Sequence, residues 1–374
     1  MDTTTGGTEI IDLGIGQPQD AVLPREALRQ AAAAALAGPD QPYLQYGPEQ
    51  GMPSLLQTLA AFLTRHYGHP VDPATLLITN GASHGLDLVL ARCTRPGDTV
   101  VVESPSYFFG LDVLRQRGVR PVAVPVDGDG MRVDDLERVL QTHEPALVYT
   151  IPVLHNPTGV TLSGPRRARL RELADRHHVP IVADEVYQLT ATPDRVPPPL
   201  RRDPAPHVLS LGSFAKILGP GVRLGWIEAE PDRIAHLADD AVLRSGGGAS
   251  PMTGAIVEAA IRLGLQDRFL DAIREVYDNR RRCAETTLRR TLPDRIRVRY
   301  PRGGYYVWLE LPGHADPAAV RADARAAGVD YRPGEIFSVD GSLTNCLRLC
   351  FTYYPEDTLV PALERLAKVL SAHC

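Results

Sequence analysis

The sequence predicts an α/β chain, a mainly parallel seven-stranded sheet sandwiched by helices, with a smaller α+β domain beside it. Three observations carry this expectation. Between residues 72 and 228, short apolar runs of four to six residues alternate with amphipathic stretches of ten to fifteen, the mark of a parallel sheet covered on both faces. After Pro231 the pattern turns mostly helical to about Arg290, and strand-like runs at 295–300, 305–310 and 347–351 then alternate with helical stretches near 317–327 and 357–371. A length of 374 residues fits one large domain plus a smaller one. The expected division is 41–285 for the large domain, with 1–40 and 286–374 forming the small one.

Taken in order, residues 1–20 read as an arm with a short strand-like I-I-D-L-G-I and then G-Q-P. An alanine-rich helix over 24–37 is stopped by Gly38-Pro39. Q-Y-G-P-E-Q-G at 45–51 is a loop, and Pro53 opens a helix that runs to about Tyr67. The seven strands are expected at 76–79, 98–103, 121–124, 146–150, 180–183, 208–211 and 224–228. Helices lie after N-G-A-S-H-G, after S-P-S-Y, over 133–141 and over the arginine-rich 163–178. Gly303-Gly304 reads as a turn before a strand.

Composition narrows the function classes. Hydrophobic content of 44% and charged content of 23% are those of an ordinary soluble globular protein. A formal net charge of −5 argues against nucleic acid as the main partner. Five scattered cysteines, an odd number, suit a reducing compartment, so a cytoplasmic location is expected. Cys346 and Cys350 lack further cysteine or histidine neighbours for a zinc site, so no metal is expected. The first residues show no positive n-region or apolar h-region, and no run approaches 18 apolar residues, so neither a signal peptide nor a membrane span is expected. About 12 residues precede the first core-like segment. No DNA-binding domain is therefore expected in front of an effector-binding module.

One lysine stands out. The chain has 40 lysines and arginines, and only Lys216 and Lys368 are lysines. Arginine stays protonated. A desolvated lysine can lose its proton and form a Schiff base with an aldehyde. Lys368 sits in an amphipathic pattern and reads as a solvated helix face, whereas Lys216 follows the apolar V-L-S-L-G-S. The competing reading of Lys216 is a surface lysine on a loop.

The other strand ends offer complementary chemistry, since ligands of such sheets bind outside the carboxyl ends of the strands. Ala82, Ser83 and His84 open a helix whose free N–H groups suit a phosphate. Tyr107 could lie flat on a ring, and Asn156 sits in a proline turn. Asp184 and Tyr187 follow a buried strand, where an acid is costly unless it meets a cation or donor. Ser213 and Arg223 flank Lys216. Pyridoxal 5′-phosphate uses all of these together: an aldehyde, a pyridine nitrogen kept protonated by an acid, a ring oxygen, a flat face and a dianionic phosphate.

Over nearly its full length the chain resembles the class I/II aminotransferases, the fold-type I pyridoxal-phosphate enzymes, and most of all the 2-aminoadipate aminotransferase-like branch. The pieces are Q-Y-G-P-E-Q-G, N-G-A-S-H-G-L, E-S-P-S-Y, H-N-P-T-G, A-D-E-V-Y, S-F-A-K-I-L-G-P-G-V-R-L-G-W, G-G-Y-Y-V-W-L-E-L, R-P-G-E-I-F and L-R-L-C-F. The resemblance implies amino transfer between an α-amino acid and a 2-oxo acid in amino-acid metabolism or biosynthesis, by a homodimer. It implies Lys216 as the Schiff-base lysine and proton shuttle, Asp184 on the ring nitrogen, Asn156 and Tyr187 on the ring oxygen, and Tyr107 stacked on the ring. Ser213, Arg223 and the backbone of Ala82, Ser83 and His84 would bind the phosphate, with Tyr46 reaching the phosphate of the neighbouring subunit. Arg348 would pair with the substrate α-carboxylate, with Asn156 and Gly16 beside the substrate. Ala215 stands where many relatives carry a second hydroxyl. The same scaffold supports lyases, cyclases and replacement enzymes, which stand as the alternative.

Overall fold

The computed structural model describes residues 10–37, 42–202, 205–313 and 315–373. The expected helix stop at Gly38-Pro39 lies outside the described residues. The described residues open with β1 (Ile11–Asp12), followed by α1 (Arg25–Leu36) and α2 (Pro53–Tyr67). Pro53 begins α2 and Gly68 ends it at φ 71°, the left-handed conformation that closes many helices. The alternating part then runs β2 (Leu76–Thr79), α3 (Ala82–Cys93), β3 (Thr99–Ser104), α4 (Phe108–Gln116), β4 (Arg120–Asp127), β5 (Gly130–Met131), α5 (Val133–His143), β6 (Leu147–Thr150), α6 (Gly164–His177), β7 (Ile181–Asp184), β8 (Val208–Ser213) and β9 (Gly225–Glu228). Three helices follow, α7 (Pro231–Ala238), α8 (Pro251–Arg262) and α9 (Leu265–Thr291). The last part holds β10 (Arg297–Arg299), β11 (Tyr306–Glu310), α10 (Pro317–Ala326), β12 (Val329–Asp330), β13 (Arg332–Pro333), β14 (Cys346–Cys350) and α11 (Glu356–Ala372). None of the described helices is long and apolar enough to cross a membrane.

All seven expected strands lie in one sheet, ordered β2-β9-β8-β7-β6-β3-β4-β5. The five from β8 to β4 are parallel, and β9 runs antiparallel to both of its neighbours. The eighth member, β5, is a two-residue return of β4 across the turn at Gly128-Asp129, and it opens with Gly130, whose φ of 92° favours glycine. Both faces of the central strands are buried, and side chains alternate between two cores. Val100, Val102, Leu147, Tyr149 and Val182 enter one, and Val101, Val148, Ile181 and Ala183 the other. Each fully buried branched side chain contributes about 1.5–3 kcal/mol, so this register is strongly fixed. Asp184 and Ser213 continue the alternation on the first face and emerge at the strand ends beside α3.

A second sheet, β10-β11-β14-β13, is antiparallel and packs under α10 and α11 around Leu309, Leu347, Leu349 and Leu363. The arm joins this unit through the parallel pair β1–β12, while Ala31 of α1 packs on Ala260 and Leu265. The long helix α9 belongs to both cores. Leu270, Ile273 and Tyr277 pack under the large sheet, and Ala284 and Leu288 under the small one. Gly303 and Gly304 form the bend into β11, as expected.

Candidate active site

A cavity of about 460 Å³ opens at the carboxyl ends of β6, β7 and β8, roofed by the arm and by residues of β11 and β14. Of the thirteen residues singled out in the sequence, all but His84 and Tyr46 line it.

At its floor, Asp184 Oδ2 accepts a 2.9 Å hydrogen bond from the Tyr149 hydroxyl, and Oδ1 is buried with no hydrogen-bond partner. Burial pushes the Asp184 carboxyl above the usual carboxylate range, against the pull of the Tyr149 hydrogen bond. An orphaned carboxylate oxygen is costly, and a cationic ring N–H placed there would satisfy it. Glu103 fixes the neighbouring turn. Its carboxylate accepts from Thr150 Oγ1 at 2.9 Å and from the Ile151 amide at 2.7 Å, and His155 Nε2 lies 3.2 Å away. That turn presents Asn156, whose Oδ1 accepts from Arg348 Nη1 at 2.8 Å, so its NH₂ is the group left to donate.

Lys216 leaves the end of β8 and stands half-buried on the cavity wall, with Nζ donating to the Gly16 carbonyl at 3.2 Å. Its amine sits between two aromatic rings, 5.6 Å from the Tyr187 centroid and 5.1 Å from that of Tyr305. Desolvation pushes its pKa down to about 8; Arg348 and Arg223 push the same way, and Cys350 and Asp184 oppose. A lysine so placed is neutral about a tenth of the time near pH 7, far more than an ordinary lysine, and can act as a nucleophile.

The amino end of α3 faces the same cavity through Ala82 and Ser83, and its cap residue Gly81 supplies no side-chain bond. The first N–H groups are therefore open to an anion. Arg223 stands beside them, its Nη2 donating to the Asn80 carbonyl at 3.1 Å, and a Cβ on Gly81 would lie 2.9 Å from that Nη2. Ser213 Oγ accepts from the Ala215 amide at 3.1 Å, which leaves its hydroxyl proton to give. His84 turns away, its Nδ1 accepting from the Asn80 amide at 3.0 Å to tie the turn. Tyr46 is 85% exposed and lies against Gly246 in a different depression.

Opposite this wall, Arg348 is almost fully buried. Nη1 donates to Asn156, Nη2 donates to the Gly14 carbonyl at 2.9 Å, and Nε has no partner. A guanidinium has five donors, so three N–H groups remain for a planar anion. Gly16 is held close. A Cβ there would collide with the Tyr306 hydroxyl.

Sequence reading gave no role to Tyr149, Tyr306, Glu103 or Arg332. Tyr149 carried a signal, because strand parity puts it on the face of Asp184. Arg332 lines the cavity with its guanidinium taken by Asp12, at 3.2 Å and 2.9 Å, a contact 320 residues apart that no local pattern announces.

The chain matches the family model Aminotransferase class I and II over residues 8–366. It is 34% identical over 369 residues to aromatic-amino-acid aminotransferase 1 of Thermococcus litoralis, covering 97% of this chain and 88% of that protein. It is 31% identical to 2-aminoadipate transaminase of Thermus thermophilus, covering 96% and 90%. It superposes with a TM-score of 0.84, at 28% identity and covering 97% and 92%, on the solved structure of α-aminoadipate aminotransferase from Thermus thermophilus complexed with N-(5′-phosphopyridoxyl)-L-leucine.

Proposed function

Because the chain belongs to the aminotransferase class I and II family and is a pyridoxal 5′-phosphate-dependent aminotransferase of fold-type I, we propose the following roles for its own residues. The observation that carries them is the cavity itself, in which a desolvated lysine, an orphaned buried carboxylate oxygen and an uncapped helix end all converge. When bound, the cofactor supplies an aldehyde for amine exchange and a ring that accepts the electrons released at the substrate Cα.

Lys216 would hold the cofactor through its aldehyde and, once the substrate amine has displaced it, the freed Nζ would take the proton from the substrate Cα and pass it to the former aldehyde carbon. Asp184 Oδ1 holds the ring nitrogen protonated. The Asn156 NH₂ and the Tyr187 hydroxyl donate to the ring oxygen, and Tyr107 lies on the ring. Ser213, Arg223 and the amides of Ala82, Ser83 and His84 hold the phosphate. Arg348 binds the substrate α-carboxylate and, with Gly16, turns the Cα bond that breaks perpendicular to the ring. Donors with an aromatic side chain fit the remaining space, since Phe108 and Phe109 line it and Asp12 already engages Arg332. The relative named for aromatic amino acids supports this.

The test is a half-reaction. The purified holoenzyme given an amino acid and no acceptor should release a stoichiometric amount of the matching 2-oxo acid, and a second 2-oxo acid should restore the starting spectrum. Release of ammonia or a cyclised product with the cofactor unchanged would mean a lyase or cyclase instead.

The working unit in this reading is a homodimer in the cytoplasm, serving amino-acid metabolism and biosynthesis. Tyr46 supports it, exposed and outside the cavity of its own chain, with Leu44 and Val242 also exposed. Mixing a Tyr46→Phe chain with a Lys216→Ala chain should restore one site in the hybrid dimer, and full activity in a sedimenting monomer would rule the composite site out. The division into 41–285 and 1–40 with 286–374 is proposed on the separate core around Leu309 and Leu363, although α1 rests on α8.

A further inference from the structure

Tyr306 touches three of the residues assigned above, and no motif gave it a role. It lies on β11, fully buried, with its hydroxyl 3.1 Å from the Tyr187 hydroxyl. Its ring carries the Arg348 guanidinium, Cζ being 4.0 Å from the ring centroid. The arm passes so close to its hydroxyl that Gly16 has no room for a Cβ. The ring thus sits at the meeting point of the cofactor side and the substrate side of the cavity.

We propose that Tyr306 is a positioning residue with two hands: its hydroxyl donates to Tyr187, and its ring face supports Arg348. The first half rests on the reading of Tyr187 as donor to the cofactor ring oxygen. A hydroxyl has one proton to give. If Tyr187 spends its proton on the ring oxygen, only its lone pairs face Tyr306, so Tyr306 is the donor of the pair. Donation into the Tyr187 oxygen polarises its O–H and makes it a stronger donor in turn. A stronger donor favours the anionic ring oxygen, and so holds down the pH at which the bound cofactor changes colour. The titratable groups facing the pair are Lys216, Arg348, Asp184, Tyr107, Tyr305 and Cys350, and removing the hydroxyl alone deletes none of them.

The experiment is a spectrophotometric pH titration of the holoenzyme and of three variants, Tyr306→Phe, Tyr187→Phe and the double variant. Tyr306→Phe should raise the midpoint by some tenths to about one pH unit, the size of one hydrogen bond. Tyr187→Phe should raise it further, and the double variant should match Tyr187→Phe alone. An unmoved midpoint in Tyr306→Phe, with only a lower Tm, makes its hydroxyl merely structural and overturns the proposal. Additive shifts also overturn it, since Tyr306 would then act without Tyr187. If Tyr187→Phe itself leaves the midpoint in place, the Tyr187 assignment falls first and the hydroxyl relay with it. The second hand reads out separately. Tyr306→Leu should raise KM for the amino acid severalfold beyond Tyr306→Phe, and equal KM values in the two would show that the ring does not carry Arg348.

Discussion

On one wall of the cavity, Asp184 and Ser213 end parallel strands whose neighbours are buried on both faces, and α3 stands directly on that sheet. On the other, Gly14, Arg332 and Arg348 are gathered by side-chain bonds between segments more than 300 residues apart, and Gly16 lies against Tyr306. The first wall is rigid because moving any part of it opens a core. The second is held by one ion pair, a few hydrogen bonds and close contacts at two glycines. In the proposed reading the sheet wall carries the chemistry and the arm wall recognises the substrate, so their variants should separate in kcat and KM.

The largest effect is expected at the floor. Asp184→Asn should keep the fold and the cofactor yet lose orders of magnitude in kcat, because the ring nitrogen is no longer held protonated. Steady-state kinetics that show a KM effect alone would break the division of labour. Next comes the pH dependence of Lys216 in the cofactor-free protein. Its pKa is lowered to about 8, so the neutral amine grows as pH rises toward that value and saturates above it. The rate of cofactor capture, followed by stopped-flow absorbance, should rise roughly fiftyfold from about pH 6 to about pH 8 and then level off. A flat profile would place the lysine outside the chemistry.

Across the cavity, Arg348→Lys should cost roughly ten- to a hundredfold in kcat/KM, as an ammonium cannot reproduce the planar fork. Gly16→Ala pushes a methyl against the Tyr306 hydroxyl. Such overpacking costs about 1–3 kcal/mol, and it should raise KM more than it lowers kcat. The smallest change is Asp12→Asn. This pair is 28–29% exposed, and pairs of that kind are worth about 0.2–1 kcal/mol. KM should shift two- to fivefold, roughly, in favour of acidic over aromatic donors, and the shift should shrink in salt. An unchanged ratio of the two donors would remove Arg332 from substrate selection.

The same contrast explains what could be read from the chain. The large sheet was legible because its strands are apolar runs with turn signals between them, and its ligands sit at strand ends beside short motifs such as D-E-x-Y and S-x-x-K. Strand β5 was not, since two residues carry no period, and β4 ran on to Asp127 beyond its apolar stretch. Arg332 and Tyr306 escaped for another reason. Their partners, Asp12 and Tyr187, are distant in sequence, and an arginine on a short edge strand reads the same whether it faces water or a cavity. Tyr149 could have been placed from strand parity alone.

The helix α9 is 27 residues long, about 40 Å at the usual rise, and its two halves are buried in different cores. Fraying either end would strip Leu270 and Ile273 from one core or Ala284 and Leu288 from the other. Neither unit can therefore melt and leave its neighbour intact. The monomer is therefore expected to unfold as one cooperative block, and a calorimetric scan should show one endotherm for the two cores.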